Sequence, residues 1–502
     1  ADAGAGGARS IVTGRGARET MTFGPVFFVL GLLISVLAFA MLIPAAVDLL
    51  WGHADWPVFV AASALTLFVG VTLMLSFRGS TAKTLGLRQA FLLTTLSWLV
   101  IAIFAAFPFM FSELDMSVTD AFFESMSGIT TTGSTVIVGL DGAAPGILLW
   151  RALLQWLGGV GIIVMALAVL PILSVGGMQL FQTEAFDAPD KVVPRATQLA
   201  GGIGLVYVAL TILWAIALWG AGMPGFDAMA HAMTTLATGG YSTKDASVAH
   251  FANPLAEWII IAGMIVGSLP FVYYLRAVQG HIRGIWRDGQ VRWFLWTVAL
   301  AAAMVTGWVF LKLDLSVETA LRQATFNVIS VLTGTGYSTA PFDQWGGFTT
   351  TLFLSLMFVG GCAGSTTCGI KIFRFQVLFS TAKVQLDRLL RPHGVFIAYY
   401  GDKPIPETVS EAVMGFFYLY MASVAALAAL LAWTGVDFVT AVSGAATAIC
   451  NVGPGLGPNI GPHGTFADLP DAAKWLLAGG MLLGRLEIFT VLVILTPAFW
   501  RK

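Results

Sequence analysis

Ten stretches of the chain stay apolar for about 20 residues, the length a helix needs to cross the hydrocarbon core of a bilayer. They are 24–47, 57–77, 89–111, 146–173, 198–220, 256–278, 293–311, 349–373, 412–433 and 475–498. Shorter, moderately apolar stretches lie near 117–130, 225–238, 317–333 and 437–450, between spans three and four, five and six, seven and eight, and nine and ten. These are too short to cross, and the pattern predicts half-helices that enter the membrane and turn back. The predicted fold is an all-α polytopic membrane protein.

Composition agrees with that solvent. Of 502 residues, 57% are hydrophobic and only 11% charged, with a mean hydropathy of +0.84, whereas about a quarter of an ordinary soluble domain is charged. A formal net charge of −1 supplies no field to recruit nucleic acid. Cys362, Cys368 and Cys450 form no CxxC pair and no disulfide framework. The six histidines, His53, His231, His250, His281, His393 and His463, show no metal-ligand spacing, and no GxSxG or phosphate-cradling loop opens a helix, which argues against an enzyme. Residues 1–20, rich in Gly, Ala and Arg, read as a disordered tail or appended sequence.

Charge placement sets the orientation. With the N-terminus in the cytoplasm, 20 of the 26 Lys and Arg residues fall on the inner side, and the exceptions are Arg151, Lys244, Lys312, Arg322, Lys474 and Arg485. Both termini are therefore expected inside. All four re-entrant stretches then enter from the outer face, so the repeats are parallel and can surround an axis along the membrane normal. The predicted organisation is a two-helix extension at 24–77, followed by repeats at 89–173, 196–278, 291–390 and 409–500.

Aligning the re-entrant stretches brings SGITTTGSTV (127–136), TTLATGGYST (234–243), SVLTGTGYST (330–339) and TAICNVGPGL (447–456) into register. One glycine falls in the same column of each: Gly133, Gly240, Gly336 and Gly453. A dehydrated cation needs a ring of oxygens, which backbone carbonyls supply if successive peptides turn toward one axis. Such a backbone visits conformations that glycine accepts and other residues resist. Thr130-Thr131-Thr132-Gly133, Ala237-Thr238-Gly239-Gly240, Thr333-Gly334-Thr335-Gly336 and Cys450-Asn451-Val452-Gly453 are the expected four walls of a selectivity filter for a monovalent cation. Thr131, Thr132, Thr238, Gly239, Gly334, Thr335, Asn451 and Val452 are its expected ion-binding positions.

Other polar positions qualify this picture. Arg485 stands deep in the last span, where a charge is costly unless paired or wetted. It is expected either to make an interhelical ion pair or bond filter carbonyls, or to act as a fixed charge bordering the ion path. Glu487, two positions on, points elsewhere and is a poor partner. The run Gly360-Gly361-Cys362-Ala363-Gly364-Ser365-Thr366-Thr367-Cys368-Gly369 interrupts an apolar span, and non-helical backbone at that depth must be shielded by protein or line a cavity; a close helix-packing face is the plainer alternative. Gly158, Gly159 and Gly161 suit close packing, with Gln155 bonding a neighbour. Glu124, His231 and Asn327 each precede their filter glycine by nine residues and are expected to support the loops from behind, while the fourth repeat has Gly444 there. Asp120 and Asp227 are expected N-terminal caps. The basic segments 276–292 and 371–391 are candidates for anionic lipid or a cytosolic partner.

These filter loops, together with WRALLQWLGGVGII (150–163), GGCAGSTTCGIKIFR (360–374) and GMLLGRLEIFTVLVIL (480–495), resemble the Trk/Ktr/HKT superfamily of potassium transporters over about residues 24 to 500. The two spans before the first repeat make its TrkH branch the nearer match. The resemblance implies a pseudo-fourfold pore, potassium as the transported ion, and a homodimer in the bacterial inner membrane. It also implies control by a separate cytosolic RCK-type ring, through which alone a nucleotide would act. In that family the 360–369 segment, with Lys371, is an intramembrane gate loop, and an arginine at the position of Arg485 borders the pore. The usual Gly-Gly of the gate is Thr367-Cys368 here, which implies a stiffer loop. A serine replacing the first filter glycine accompanies sodium transport in HKT members; Gly133 favours potassium, with Ser134 following it. The departure of CNVGPG from the other loops bears on strictness against sodium. An ion-coupled secondary transporter on the same fold is the alternative reading.

Overall fold

The computed structural model describes residues 23–80, 86–168, 177, 196–281 and 283–501. The expected tail at 1–20, Lys83, the end of the fourth span at 169–173, and the connection bearing Lys191 and Arg195 lie outside the described residues. Helices α1 (Gly24–Trp51) and α2 (Trp56–Phe77) form an antiparallel pair. Their contact depends on two glycines: a Cβ on Gly31 would lie 2.7 Å from the Gly70 carbonyl oxygen, and one on Gly70 would lie 2.9 Å from that of Gly31. Small residues are how membrane helices approach closely when water offers no driving force between them.

The chain then alternates long and short helices. After α3 (Leu87–Ala105) and the Pro108-containing turn α4 (Phe107–Phe111) comes α5 (Val118–Ile129), followed by α6 (Pro145–Ala168). The second round is α7 (Ala196–Gly220), α8 (Gly225–Leu236), α9 (Pro254–Gly267) and α10 (Phe271–Val278). After the short α11 (Arg283–Arg287) the third is α12 (Gly289–Lys312), α13 (Val317–Leu332), α14 (Gly347–Met357) and α15 (Ile372–Leu390). A small hairpin, β1 (Tyr399–Tyr400) and β2 (Lys403–Pro404), leads to the fourth: α16 (Glu407–Trp433), α17 (Phe438–Cys450), α18 (Asp471–Arg485) and α19 (Phe489–Leu495).

The half-helices α5, α8, α13 and α17 hold 12, 12, 16 and 13 residues. At 1.5 Å per residue none crosses a core about 30 Å thick. Side-chain oxygens of Ser117, Ser316 and Asp437 cap α5, α13 and α17, whereas α8 starts after Pro224 without one. Asp120 and Asp227 are not the caps expected: Asp120 pairs with Lys474 at 2.6 Å and Asp227 accepts the Thr243 hydroxyl at 2.6 Å. Both still sit in a first helical turn, where negative charge suits the helix dipole.

Three expected spans are corrected. The sixth is bent by 95° between α9 and α10, and the tenth by 112° between α18 and α19. The eighth is no continuous helix: α14 has 11 residues and gives way to irregular chain before α15. Among the described residues, seven helices are long and apolar enough to cross alone, and the two bent pairs bring the number to nine. Four of the six basic residues expected outside the inner side are paired: Arg151 with Glu124 at 2.8 Å, Lys244 with Asp141 at 3.7 Å, Arg322 with Glu257 at 2.5 Å, and Lys474 with Asp120. Lys312 lies 5.6 Å from the Trp308 ring. Arg485 alone of the six is fully buried without a carboxylate of the described residues in hydrogen-bonding range.

Candidate functional site

All four half-helices end in the same turn. The amide nitrogens of Thr132, Gly239, Thr335 and Val452 each bond the carbonyl five residues back, at 2.8–3.0 Å. The residue two before the shared glycine is left-handed in every loop, with φ of 54° at Thr131, 49° at Thr238, 70° at Gly334 and 52° at Asn451. The glycines repeat the excursion at 89°, 76°, 82° and 109° for Gly133, Gly240, Gly336 and Gly453. Residues between them keep negative φ, and such alternation turns successive carbonyls toward one side. Holding three non-glycine residues left-handed costs on the order of 1–2 kcal/mol each, which the surrounding bonds must offset.

The glycines also close a ring. A Cβ on Gly133 would lie 2.2 Å from the Gly239 carbonyl oxygen, one on Gly240 1.8 Å from that of Thr335, one on Gly336 2.0 Å from that of Val452, and one on Gly453 2.9 Å from that of Thr132. Each loop thus presses its glycine on the residue preceding the next loop's glycine, and the fourth returns to the first. The half-helices point their C-terminal, partially negative ends at this ring, a field that favours a cation.

A second layer holds the loops. Glu124 accepts the Thr135 hydroxyl and the Val136 amide, both at 3.0 Å; Asn327 accepts the Thr339 amide at 3.2 Å; and His231 bonds the Ser242 hydroxyl at 3.0 Å. Backing of the loops is thus common to the three residues. In the fourth repeat Ser443 takes the role, bonding both the amide and the carbonyl of Leu456. The alignment hid it by one position, because Gly444 occupies the matching column. Arg151 bonds Glu124, donates to the Ser242 carbonyl at 2.7 Å and covers the Tyr241 ring at 4.0 Å, so loops one and two share one buried ion pair. Gln155 of α6 braces loop two alone, donating to Gly239 O at 2.6 Å and accepting from Tyr241 N at 3.0 Å. Ser134 donates to the Gly453 carbonyl at 2.7 Å, and Asn451 donates to the Thr132 hydroxyl at 2.9 Å, tying loop one to loop four.

Glycines of the flanking helices lie against the half-helices. A Cβ on Gly158 would meet Ile129 O at 2.0 Å, one on Gly484 would meet Ile449 O at 1.8 Å, and one on Gly159 would lie 3.1 Å from Ala237 at the end of α8 and 2.5 Å from the Tyr207 hydroxyl of α7. The close packing expected of this region is present for Gly158 and Gly159. Gly161 has only the Trp98 ring nearby, at 3.6 Å.

The irregular chain between α14 and α15 passes directly beneath the ring. Thr366 Oγ1 lies 3.2 Å from Thr238 Oγ1, and Cys368 Sγ lies 3.8 Å from Thr131 Oγ1. Its backbone is satisfied by protein: Cys362 N and Thr366 N bond the carbonyls of Ser268 and Gly267, Phe271 N bonds Gly364 O, and Ala363 N bonds the Gln290 side chain. The bend between α9 and α10 is what frees those carbonyls. Its signal, Pro270 within an apolar run, was present in the sequence.

Arg485 donates to Thr366 O at 3.3 Å and Gly158 O at 3.0 Å, contacts Cys368 Sγ, and sits 5.5 Å from the Trp98 ring. Among the described residues Arg485 makes neither the expected ion pair nor the expected bonds to filter carbonyls; its partners belong to the loop below the ring and to α6. Lys371 bonds the Thr367 carbonyl, and Glu487 pairs with Arg374, a partnership no sequence pattern announced. Glu487 and Ile488, at the bend after Arg485, have φ of 58° and 50°, a conformation a β-branched side chain resists.

Removing one member of a buried ion pair leaves the other uncompensated, typically a loss of about 3–5 kcal/mol. Arg151→Met should therefore lower the melting temperature of the purified protein more than Arg151→Met combined with Glu124→Gln, and thermal unfolding of the single and double variants measures the coupling. Additive losses would mean that the two groups act separately.

The model of a family described as cation transport protein, TrkH, matches residues 56–502. The chain is 45% identical over 481 residues to the Trk system potassium uptake protein TrkI of Halomonas elongata, covering 96% of this chain and 97% of that one. It is 38% identical over 491 residues to the Trk system potassium uptake protein TrkH of Escherichia coli, covering 96% and 100%. The crystal structure of the potassium transporter TrkH from Vibrio parahaemolyticus superposes with a TM-score of 0.88 at 36% identity, covering 96% of this chain and all of that one. This chain belongs to the TrkH family of cation transport proteins.

Proposed function

We propose that the chain takes up potassium through a filter made by the four loops, with Gly133, Gly240, Gly336 and Gly453 at its narrowest ring. The observation that carries the reading is the cyclic contact of each glycine with its neighbour's backbone carbonyl. Carbonyl rings replace the hydration shell of a weakly hydrated cation, and the potassium-uptake relatives support the choice of ion. The loop at 360–369 acts as a gate below the filter, and Arg485 and Lys371 are its clasps. Their bonds to Thr366 and Thr367 support this part. The sixteen wall residues include no Asp, Glu, His or Lys to carry a coupled proton, which favours conduction over ion-coupled carriage. A homodimer in the bacterial inner membrane, with both termini cytoplasmic and a cytosolic RCK-type ring bringing nucleotide control, completes the proposal by resemblance.

Gly133→Ser tests the filter. Its side chain would enter a left-handed site 2.2 Å from Gly239 O, so the ring must widen. The expected outcome is a rise of about tenfold in sodium relative to potassium permeability, equal to ~1.4 kcal/mol of lost discrimination, measured in liposomes under single-ion gradients. An unchanged ratio in folded protein rules the ring out as the selective element.

The gate reading is tested by deleting 362–366, which should raise potassium flux per inserted molecule with ion preference intact. Lost flux in properly inserted protein would make the segment a support for the filter.

Arg485→Gln removes the clasp and its charge together and should raise flux, whereas Arg485→Lys keeps the charge but loses the planar fork. If the charge limits passage, the Lys variant stays near wild type; if the fork holding Thr366 O and Gly158 O matters, both variants conduct more. Flux below wild type, with a reduced melting temperature in Arg485→Gln, would leave Arg485 as scaffold only.

A further inference from the structure

A cavity of about 620 Å³ lies on the side that charge assigns to the cytoplasm, and no ring residue lines it. Its walls come from α10, the end of α11, the start of α12, α15 and the β1–β2 hairpin. Arg276, Arg287, Lys383 and Lys403 line it with Asp288 and Asp402, leaving a net charge of +2. Asp288 is already engaged, accepting the Tyr273 hydroxyl at 2.7 Å and capping α12 through Gln290 N at 2.7 Å. The remaining wall mixes the polar side chains of Gln376 and Ser380 with aromatic ones, among which the Trp293 and Phe379 rings pack edge to face at 5.7 Å and are 40% and 61% exposed.

Excess positive charge beside exposed aromatic surface at the level of a membrane interface fits an amphiphilic anion better than a soluble one. Arginine and lysine recognise the phosphate, and aromatic rings border the headgroup region. The same walls hold the loop below the ring. Helix α10 opens at Phe271, whose amide bonds Gly364 O; α12 begins beside Gln290, whose side chain bonds Ala363 N; and α15 opens at Ile372, whose amide bonds Gly361 O.

We propose that this cavity binds the headgroup of an anionic glycerophospholipid, which draws the basic residues of α10 and α15 together and thereby steadies the loop at 360–369 beneath the ring. The binding half stands alone, while the effect on flux rests on the gate reading above.

The test uses the full chain with phosphatidylglycerol as the probe. In detergent, phosphatidylglycerol should raise the melting temperature where phosphatidylcholine does not. Arg276→Gln combined with Lys383→Gln should weaken that effect, with about tenfold more lipid needed for half the shift. Equal stabilisation by both lipids, or an unchanged response of the double variant, overturns the site. Stabilisation by glycerol phosphate or inorganic phosphate at matched concentration overturns the lipid in favour of a soluble anion. In liposomes, phosphatidylglycerol should lower potassium flux severalfold in wild type and little in the double variant, with the potassium-to-sodium ratio unchanged in both. Flux indifferent to phosphatidylglycerol in wild type overturns the coupling. If deleting 362–366 leaves flux unaltered while the melting shift persists, the gate reading falls and the lipid site stands.

Discussion

Four backbone carbonyls pressed against four glycines are the contact on which the rest of this molecule depends. At 1.8–2.9 Å from where a Cβ would stand, no other residue fits without moving the neighbouring loop, so the ring exists only while four non-adjacent parts of the chain hold position together. The half-helices aim at it, the buried side chains behind it lock each loop, and the long helices place the half-helices. The support is unequal. Loops one and two share an ion pair, the third relies on an amide, and the fourth on a serine. One backbone turn, repeated in four loops, is thus combined with different side-chain solutions.

Backbone satisfaction explains the irregular segment below. In a membrane, a free amide or carbonyl costs several kcal/mol, so unwound chain persists only where protein supplies partners. Breaking the sixth span at 268–270 exposes the carbonyls of Gly267 and Ser268, and those are the acceptors that the amides of Thr366 and Cys362 take. The two departures from helix are complementary, and neither would be tolerable alone. Arg485 extends the arrangement from the last span, joining the segment's Thr366 carbonyl to the α6 carbonyl of Gly158. A planar donor with several N–H groups suits acceptors that diverge in this way.

Much of the architecture was legible in the sequence because its causes are local. Apolar run length marked the membrane segments and the shared glycine column marked the ring, whereas the caps were misplaced: Ser117, Ser316 and Asp437 cap three half-helices where Asp120 and Asp227 were expected to serve. The position nine residues before each glycine identified Glu124, His231 and Asn327, because a rigid helix followed by an identical turn fixes where such side chains can reach. That logic failed in the fourth repeat, where Ser443 acts from the adjacent position and a short hydroxyl replaces a longer side chain.

What the sequence determined by itself was the solvent, the four re-entrant turns and the glycine ring, since hydrophobic length and the left-handed backbone are properties of single segments. Only the tertiary structure decided the partners. Nothing within a helical period links Arg151 to Glu124, Arg374 to Glu487, or Arg485 to the carbonyls of Thr366 and Gly158, because these groups meet across 27, 113, 119 and 327 residues of chain. The bends at 268–270 and 486–488 belong to the same class: a helix in a membrane breaks where the fold offers its freed backbone groups another bond, and that offer comes from elsewhere in the chain.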